Sequence, residues 1–183
     1  MDVLDAIYHR RAVRDFTGEA VDEATIRSLI DAAVQAPSAM NLQPWAFALL
    51  HGVDRLRAMS IHAKRHVAAH LPAGSPLTGH LADPQFDLFH GAATLVVICA
   101  TDSHTQSAED CCLAAQNLML AAHARGLGSC WIGLSRPWLC LPEVKSKLGI
   151  PEHLIPVAPI ILGHPRSLPV ATPRREPRIV RCE

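Results

Sequence analysis

A domain in which helices alternate with about four strands is the fold class the sequence predicts, and three stretches predict it. Ile26, Leu29, Ile30, Ala33 and Val34 recur at i, i+3, i+4, i+7 and i+8, the stripe of a helix that turns one face to a core. Thr94 to Ala100 (TLVVICA) is apolar on both faces of a strand, which places it in the middle of its sheet. From Ala108 to about Arg125 nearly every position is small or apolar, Leu113, Leu118, Met119 and Leu120 among them. That helix is expected to be buried around most of its circumference and to form the spine of the core.

The bulk composition narrows the function. At 183 residues the chain is read as one domain, 1–183, able to bury a core without disulfides or metal. Lys+Arg equal Asp+Glu at 17 each, so no nucleic-acid surface is indicated. With 49% hydrophobic and 19% charged residues there is apolar surface left to hide, which favours an oligomer. Asp2 and Asp5 stand where a secretory signal would carry bases, and no apolar run has the length of a membrane span, so a cytoplasmic protein is expected. The six cysteines form no Cys-x-x-Cys pair and read mostly as small buried hydrophobes.

Taken in order, Asp2 can cap a first helix with Val3, Leu4, Ile7 and Tyr8 on one face. Arg10, Arg11 and Arg14 then crowd five residues. In a neutral chain such a cluster is either a solvated face bridged to Asp15 and Glu19 or an anion site, because guanidinium groups match phosphate bidentately. Asp22 caps the next helix, which delivers the chain to Ala36–Trp45 (APSAMNLQPW). There Pro37 should end the helix and Pro44 should hold Gln43 extended. Ser38, Asn41 and Gln43 either bond their own backbone or suit a heteroaromatic edge or a polyol. Ala46 to Leu50 reads as a buried strand closed by His51-Gly52, and a helix is expected from about Asp54.

From His62 to His90, Pro72, Gly74, Pro76, Gly79 and Pro84 interrupt any long element, and the segment reads as a mobile helix and lid beside a site. His62, His66 and His70 would share one helical face, where they are either a solvated or packing stripe or ligands for a divalent ion; no carboxylate interleaves them. Ser107 with Asp110 approximates a capping box for the long helix. Gly126 stops it, and Leu127-Gly128-Ser129-Cys130-Trp131-Ile132-Gly133 follows. Its flanking glycines suggest either close backbone approach to something flat or to another chain, or an ordinary helix stop and strand end. Neither a dinucleotide-binding glycine fingerprint nor a P-loop is present. Pro142 opens a short helix that Gly149 closes, and Val157 to Leu162 is a strand whose Pro159 suggests an edge or a bulge. The tail from Pro165 carries four prolines and five arginines and must lie across something, a partner subunit or solvent.

Taken together, Arg10-Arg11-Ala12-Val13-Arg14 with Phe16, then Pro37 to Trp45, then Gly126 to Gly133, then Gly163-His164-Pro165 and Pro173-Arg174-Arg175 resemble, in order and spacing, the nitroreductase family of flavin-dependent oxidoreductases. The resemblance implies an α+β fold, a mostly antiparallel sheet covered by helices, working as an intertwined homodimer with FMN at the subunit interface and residues 165–183 crossing to the partner. It further implies that Arg10 and Arg11, with Arg174 or Arg175, hold the FMN phosphate and that Arg14 stands near the pyrimidine edge of the flavin. Pro37, Ser38, Ala39, Met40 and Asn41 would line or adjoin the ring and ribityl chain, and Ile132 and Gly133 would let backbone approach the ring. The implied chemistry is hydride transfer from NADH or NADPH to a planar acceptor, with no side chain required as nucleophile. Ala12 and Ala39 stand where the family often has Ser, Met40 is bulkier than usual, and Ile132 replaces a frequent acid. A non-catalytic flavin- or metal-binding sensor built on His62, His66 and His70 is the competing reading.

Overall fold

The computed structural model describes residues 1–182. Four strands, β1 (Trp45–His51), β2 (Thr94–Ala100), β3 (Gly128–Trp131) and β4 (Ile155–Gly163), form one antiparallel sheet in the order β1-β2-β4-β3. Seven helices accompany them: α1 (Val3–His9), α2 (Glu23–Ala33), α3 (Val53–Ala69), α4 (Thr78–Ala82), α5 (Thr105–Ala124), α6 (Arg136–Leu139) and α7 (Pro142–Leu148). The α+β class and the antiparallel sheet expected from the sequence are both present. No helix among the described residues is long and apolar enough to cross a membrane.

The layering follows from the alternation of side chains along β2. Leu95, Val97 and Cys99 enter one core with Leu56, Met59, Phe89, Trp138 and Leu139, beneath α3 and α6. Val96, Ile98 and Ala100 enter the other with Ile26, Leu29, Cys111, Ala114 and Leu118, beneath α2 and α5. All seven residues of β2 are buried, as its composition requires.

Several local expectations need correction. Asp22 caps α2 by accepting the Thr25 N–H at 2.8 Å, but Asp2 makes no such bond to α1. Only Ala6 of α1 is buried; Val3, Leu4, Ile7 and Tyr8 are 63, 54, 48 and 68% exposed, so the apolar face of this helix is uncovered by the described residues. α5 is buried on one side only, leaving Glu109, Cys112, Leu113 and Gln116 exposed in a stripe. It starts at Thr105, and the side chain organising its start is Asp102, which accepts the His104 N–H and the Ser107 hydroxyl. Cys99, Cys111 and Cys130 are buried, and burial pushes the thiols of the first two up to about 12. Cys112 and Cys182 are exposed, contrary to the reading of the cysteines as core.

Pro159 marks no edge, since β4 lies between β2 and β3. The irregularity is nearby: Ile98 pairs Ala158 and Cys99 pairs Pro156, leaving Val157 as the extra residue of a bulge. The Pro159 carbonyl accepts Ile132 N–H at 2.8 Å, and the amide and carbonyl of a strand residue face the same neighbour. The missing N–H therefore falls where β3 has already ended at Trp131.

The N-terminal segment is laid onto the far side of β3 and the end of β4. Ala12 bridges Ser129, the Val13 N–H donates to the Ser129 carbonyl at 3.0 Å, Phe16 bridges Pro165, and the Thr17 N–H donates to the His164 carbonyl at 3.0 Å. Two glycines admit it: a Cβ on Gly128 would lie 2.8 Å from the Cβ of Val13, and one on Gly163 would lie 2.8 Å from Cδ1 of Phe16. The close approach expected at Gly128 is thus to the chain's own Val13, not to a flat ligand or a second chain. Gly128→Ala should cost about 1–3 kcal/mol through overpacking against buried Val13. Gly133→Ala, whose added Cβ meets nothing closer than 3.9 Å, should stay within about 0.5 kcal/mol. Urea unfolding of the two variants beside the parent checks both values.

Candidate functional site

Because the N-terminal segment pairs with β3, its arginines are set out along that strand. Arg10, Arg11, His123 and Ser129 border a cavity of about 410 Å³ that Pro165 and Leu168 of the tail also close. None of the carboxylates of the described residues lines it. Arg10 is held below the ordinary guanidinium value by burial first and then by Arg11 and Arg174, which places the tail's Arg174 beside the N-terminal pair. Arg175 is exposed on the tail. Nη1 of Arg11 donates to the carbonyls of Tyr8 at 2.7 Å and Arg10 at 2.8 Å, which fixes the guanidinium. Its Nε and the Nε2 of His123 are buried side-chain nitrogens that have no partner among the described residues. Buried donors without acceptors beside mutually repelling cations are a poor arrangement on their own and a good one around a phosphate.

The second cavity, about 380 Å³, lies further along the same pairing and contains Arg14, Cys130, Trp131, Ile132 and Gly133 on one side. His80, Phe86 and His90 face them from the segment that the sequence left least defined. α3 runs through His62 and His66 to Ala69, and the chain beyond α4 is tied down. Buried Lys64 donates to the carbonyls of Asp83 at 2.9 Å and Phe86 at 2.5 Å, and the Leu88 N–H donates to Ser60 Oγ at 2.7 Å. Asp87 accepts the N–H groups of Phe89 and Gly91 and so holds His90 at φ 55°, a left-handed backbone rare outside glycine. Phe86 packs between the imidazoles of His80 and His90, with centroids 6.0 and 5.8 Å away. Burial, and then Arg14, hold the His90 pKa below its ordinary value, with Asp87 opposing. The lid-like segment is beside the site as expected, but it is anchored by these bonds.

The Pro37–Asn41 loop is elsewhere. α2 ends at Ala33, ahead of Pro37, and the loop closes in a single 3₁₀ turn, Ala39–Asn41. Met40, Asn41 and Gln43 all have positive φ, at 49, 57 and 50°, so Gln43 is not the extended residue that Pro44 led one to expect. Local bonds explain the departure: the Gln43 N–H donates to Ser38 Oγ at 3.0 Å and Gln43 Nε2 donates to Asn41 Oδ1 at 3.1 Å. Within the chain, the polar groups of this loop therefore bond one another. Asp110 is no cap; its Oδ2 accepts the Ala39 N–H at 3.2 Å and ties the loop to the first half of α5. His123, beside the arginines, is in the last turn of the same helix. From Asp110 to His123 that helix advances about 20 Å at about 1.5 Å per residue. One chain thus gathers Arg10, Arg11 and Arg174 by the last turn of α5, with Ala12 pairing Ser129 of β3 and Arg14, Ile132 and Gly133 in the next cavity, and ties the loop of Pro37, Ser38, Ala39, Met40 and Asn41 to the first half of that helix.

The histidine stripe runs along α3 to its C-cap at His70. The His66 and His70 rings lie 4.5 Å apart and the His70 Nδ1 faces the His66 carbonyl at 2.7 Å. Among the described residues no three His, Cys, Asp or Glu side chains converge on a point. The residues missed in the sequence are His80, Phe86, His90 and His123. The last left a signal, the one polar side chain between Leu118 and Ala124.

The family model described as the nitroreductase family matches residues 7–164. A protein of Methanothermobacter thermautotrophicus, provisionally named an NADH dehydrogenase/NAD(P)H nitroreductase, is 31% identical over 173 residues, covering 92% of this chain and 80% of its own. The FMN reductase (NADPH) of Bacillus subtilis is 26% identical over 181 residues, covering 94% and 70%. The fold is that of a crystallised nitroreductase with bound FMN from Bacteroides fragilis, at a TM-score of 0.86 over 100% of both chains and 24% identity.

Asp110→Ala removes the acceptor of the Ala39 N–H and should loosen the strained loop without unfolding α5. Hydrogen exchange measured by mass spectrometry should rise several-fold in peptides covering residues 39–43 and stay unchanged across β2.

Proposed function

Because the chain belongs to the nitroreductase family, we propose that it is an FMN-dependent oxidoreductase that draws on NADH or NADPH to reduce a planar acceptor: a nitroaromatic, a quinone or a flavin. The observation that carries the reading is the cavity at Arg10, Arg11 and His123, free of carboxylates among the described residues and followed along β3 by a second cavity with Arg14, Ile132 and Gly133. A phosphate at one station and a flat ring at the next are the two ends of one flavin mononucleotide. When bound, FMN would supply the two-electron chemistry, receiving hydride from the nicotinamide and passing it to the acceptor in a ping-pong cycle.

The chain's own residues have distinct tasks in this scheme. Arg10, Arg11 and Arg174 hold the phosphate by charge-assisted hydrogen bonds, and their mutual repulsion is relieved by its charge. Arg14, exposed at the mouth of the second cavity, places positive charge where the pyrimidine edge of the ring belongs and favours added electron density there. Ile132 is buried and Gly133 carries no Cβ, so backbone can lie flat against a ring. Leu77, Leu81, Phe86 and Leu88 cover that cavity with apolar surface and exclude water. The loss of a hydroxyl at Ala12 leaves the phosphate to guanidinium groups.

The loop at Pro37–Asn41 can join this site only from a second copy of the chain. Three features support a homodimer with one flavin site at each end of its interface: the roughly 20 Å between loop and arginines along α5, the uncovered apolar face of α1, and Met40 at 92% exposure on a left-handed backbone. Residues 172–182 of the tail are all exposed, with Ile179 at 77% and Val180 at 73%, which suits a segment that crosses to the partner.

An absorbance spectrum of the purified protein should show flavin bands that bleach on anaerobic addition of NADH or NADPH; a protein that stays colourless after added FMN refutes the reading. Arg10→Ala should lower flavin retention at least tenfold, by loss of a charge-assisted bond of about 1.5–3 kcal/mol. Arg10→Ala and Asn41→Ala chains should each lose flavin alone. Produced together, they should regain one intact site per mixed dimer, whereas no recovery would mean that both groups serve a site within one chain.

A further inference from the structure

We propose that His123 is a proton-linked positioning residue for the phosphate of FMN, donating from Nε2 to a phosphate oxygen and taking up one proton as that group binds. The proposal rests on the FMN reading above and adds to it a residue and a consequence for cofactor retention.

Three observations carry it. The Nε2 of His123 is buried and, among the described residues, has no partner, in a cavity that it shares with Arg10 and Arg11 and that none of the described carboxylates lines. The end of α5 offers the anion little else: the Leu127 N–H donates to the Ala122 carbonyl and the Gly126 N–H to the His123 carbonyl, both at 2.9 Å. That closing turn satisfies the helix's own carbonyls and spends the amide hydrogens that might have reached a phosphate. The neighbourhood is one-sided in charge. His9, Arg10 and Arg11 face the imidazole from the N-terminal segment, the Met1 end of the chain borders the same cavity, Arg174 stands beside Arg10, and Arg125 follows on α5. His9 already uses its Nδ1 at the Asp5 carbonyl, 2.9 Å away.

Burial, then Arg10, His9 and Arg11, hold the imidazole below its ordinary pKa, so without an anion His123 is neutral at neutral pH. A phosphate dianion reverses the sign of the local field and raises that pKa. Binding FMN then takes up a proton, and affinity must rise as pH falls across the interval between the lowered and raised values. The useful window lies above the second ionisation of the phosphate itself, at a pKa of about 6. Riboflavin has the same ring and ribityl chain without the phosphate and should bind with no such dependence.

The test is release of flavin from the loaded protein on dilution, followed by fluorescence between pH 6.5 and 8.5, for FMN and riboflavin, in the parent and in His123→Gln. Glutamine keeps an N–H donor and cannot take the proton. For the parent with FMN, the dissociation constant should fall with decreasing pH by up to about tenfold per pH unit, the limit for one proton. His123→Gln with FMN should show a clearly shallower profile than the parent, and either protein with riboflavin a flat one. ¹⁵N shifts of the imidazoles in the FMN-loaded parent at pH 6.5 should report His123 doubly protonated. Equal slopes in parent and variant, a neutral His123, or the proton on His9 instead would overturn this inference and leave the flavin reading intact. A chain that takes up neither flavin would overturn both.

Discussion

The contact between the N-terminal segment and β3 is the constraint on which the rest of the site depends. Backbone pairing at Ala12 and Val13 with Ser129 fixes the register of the arginines, and the register decides that Arg10 and Arg11 reach one cavity and Arg14 the next. That pairing exists because Gly128 has no Cβ to collide with Val13, and Gly163 does the same for Phe16. Two missing methyl groups thus hold a cation cluster in place that would otherwise repel itself away from the sheet. Burial first, and the neighbouring cations second, hold the pKa values of Arg10 and His123 down, a cost that packing bears and that a bound anion would relieve.

A helix sets the second constraint, by its length. α5 carries the loop tether Asp110 near one end and His123 at the other, and a rigid helix allows no shortcut between them. The separation of the Pro37–Asn41 loop from the arginines is therefore a property of the fold rather than of any side chain, and α1 and α5 each leave a face exposed. The low charge and high apolar content of the chain, which pointed to association, have their physical location on those faces.

Where the sequence was legible, local chemistry and tertiary packing agreed. β2 was evident because burial on both faces demands an unbroken apolar run, and α7 because Pro142 and Gly149 punctuate it, the latter at φ 74°. Misreadings occurred where a local signal was captured by a distant partner. Asp110 looked like a cap and binds the Ala39 amide, and Pro44 should have extended Gln43, which Ser38 and Asn41 hold left-handed. Pro159 suggested an edge or a bulge: the bulge is two residues away at Val157, and the proline fits a central strand because its neighbour strand stops beside it. The family motifs singled out Arg10, Arg11, Arg14, Ile132 and Gly133, which line the two cavities; His90 escaped because nothing near it in sequence links it to Arg14, and His123, a lone polar residue on an apolar run, showed no link to Arg10.

β1 is an outer strand, hydrogen-bonded among the described residues only to β2, and its Leu49 is 39% exposed. An unpaired row of amides and carbonyls recruits any extended chain that meets it. Proline cannot donate to such a row, and the tail carries Pro165, Pro169, Pro173 and Pro177 at every fourth position. A segment so built can lie along a strand edge without itself becoming the template for another, so a proline-rich tail docked there would end the sheet where a regular strand would extend it. Chain growth into fibrils and assembly into a closed particle begin from the same open edge, and the spacing of the prolines favours closure.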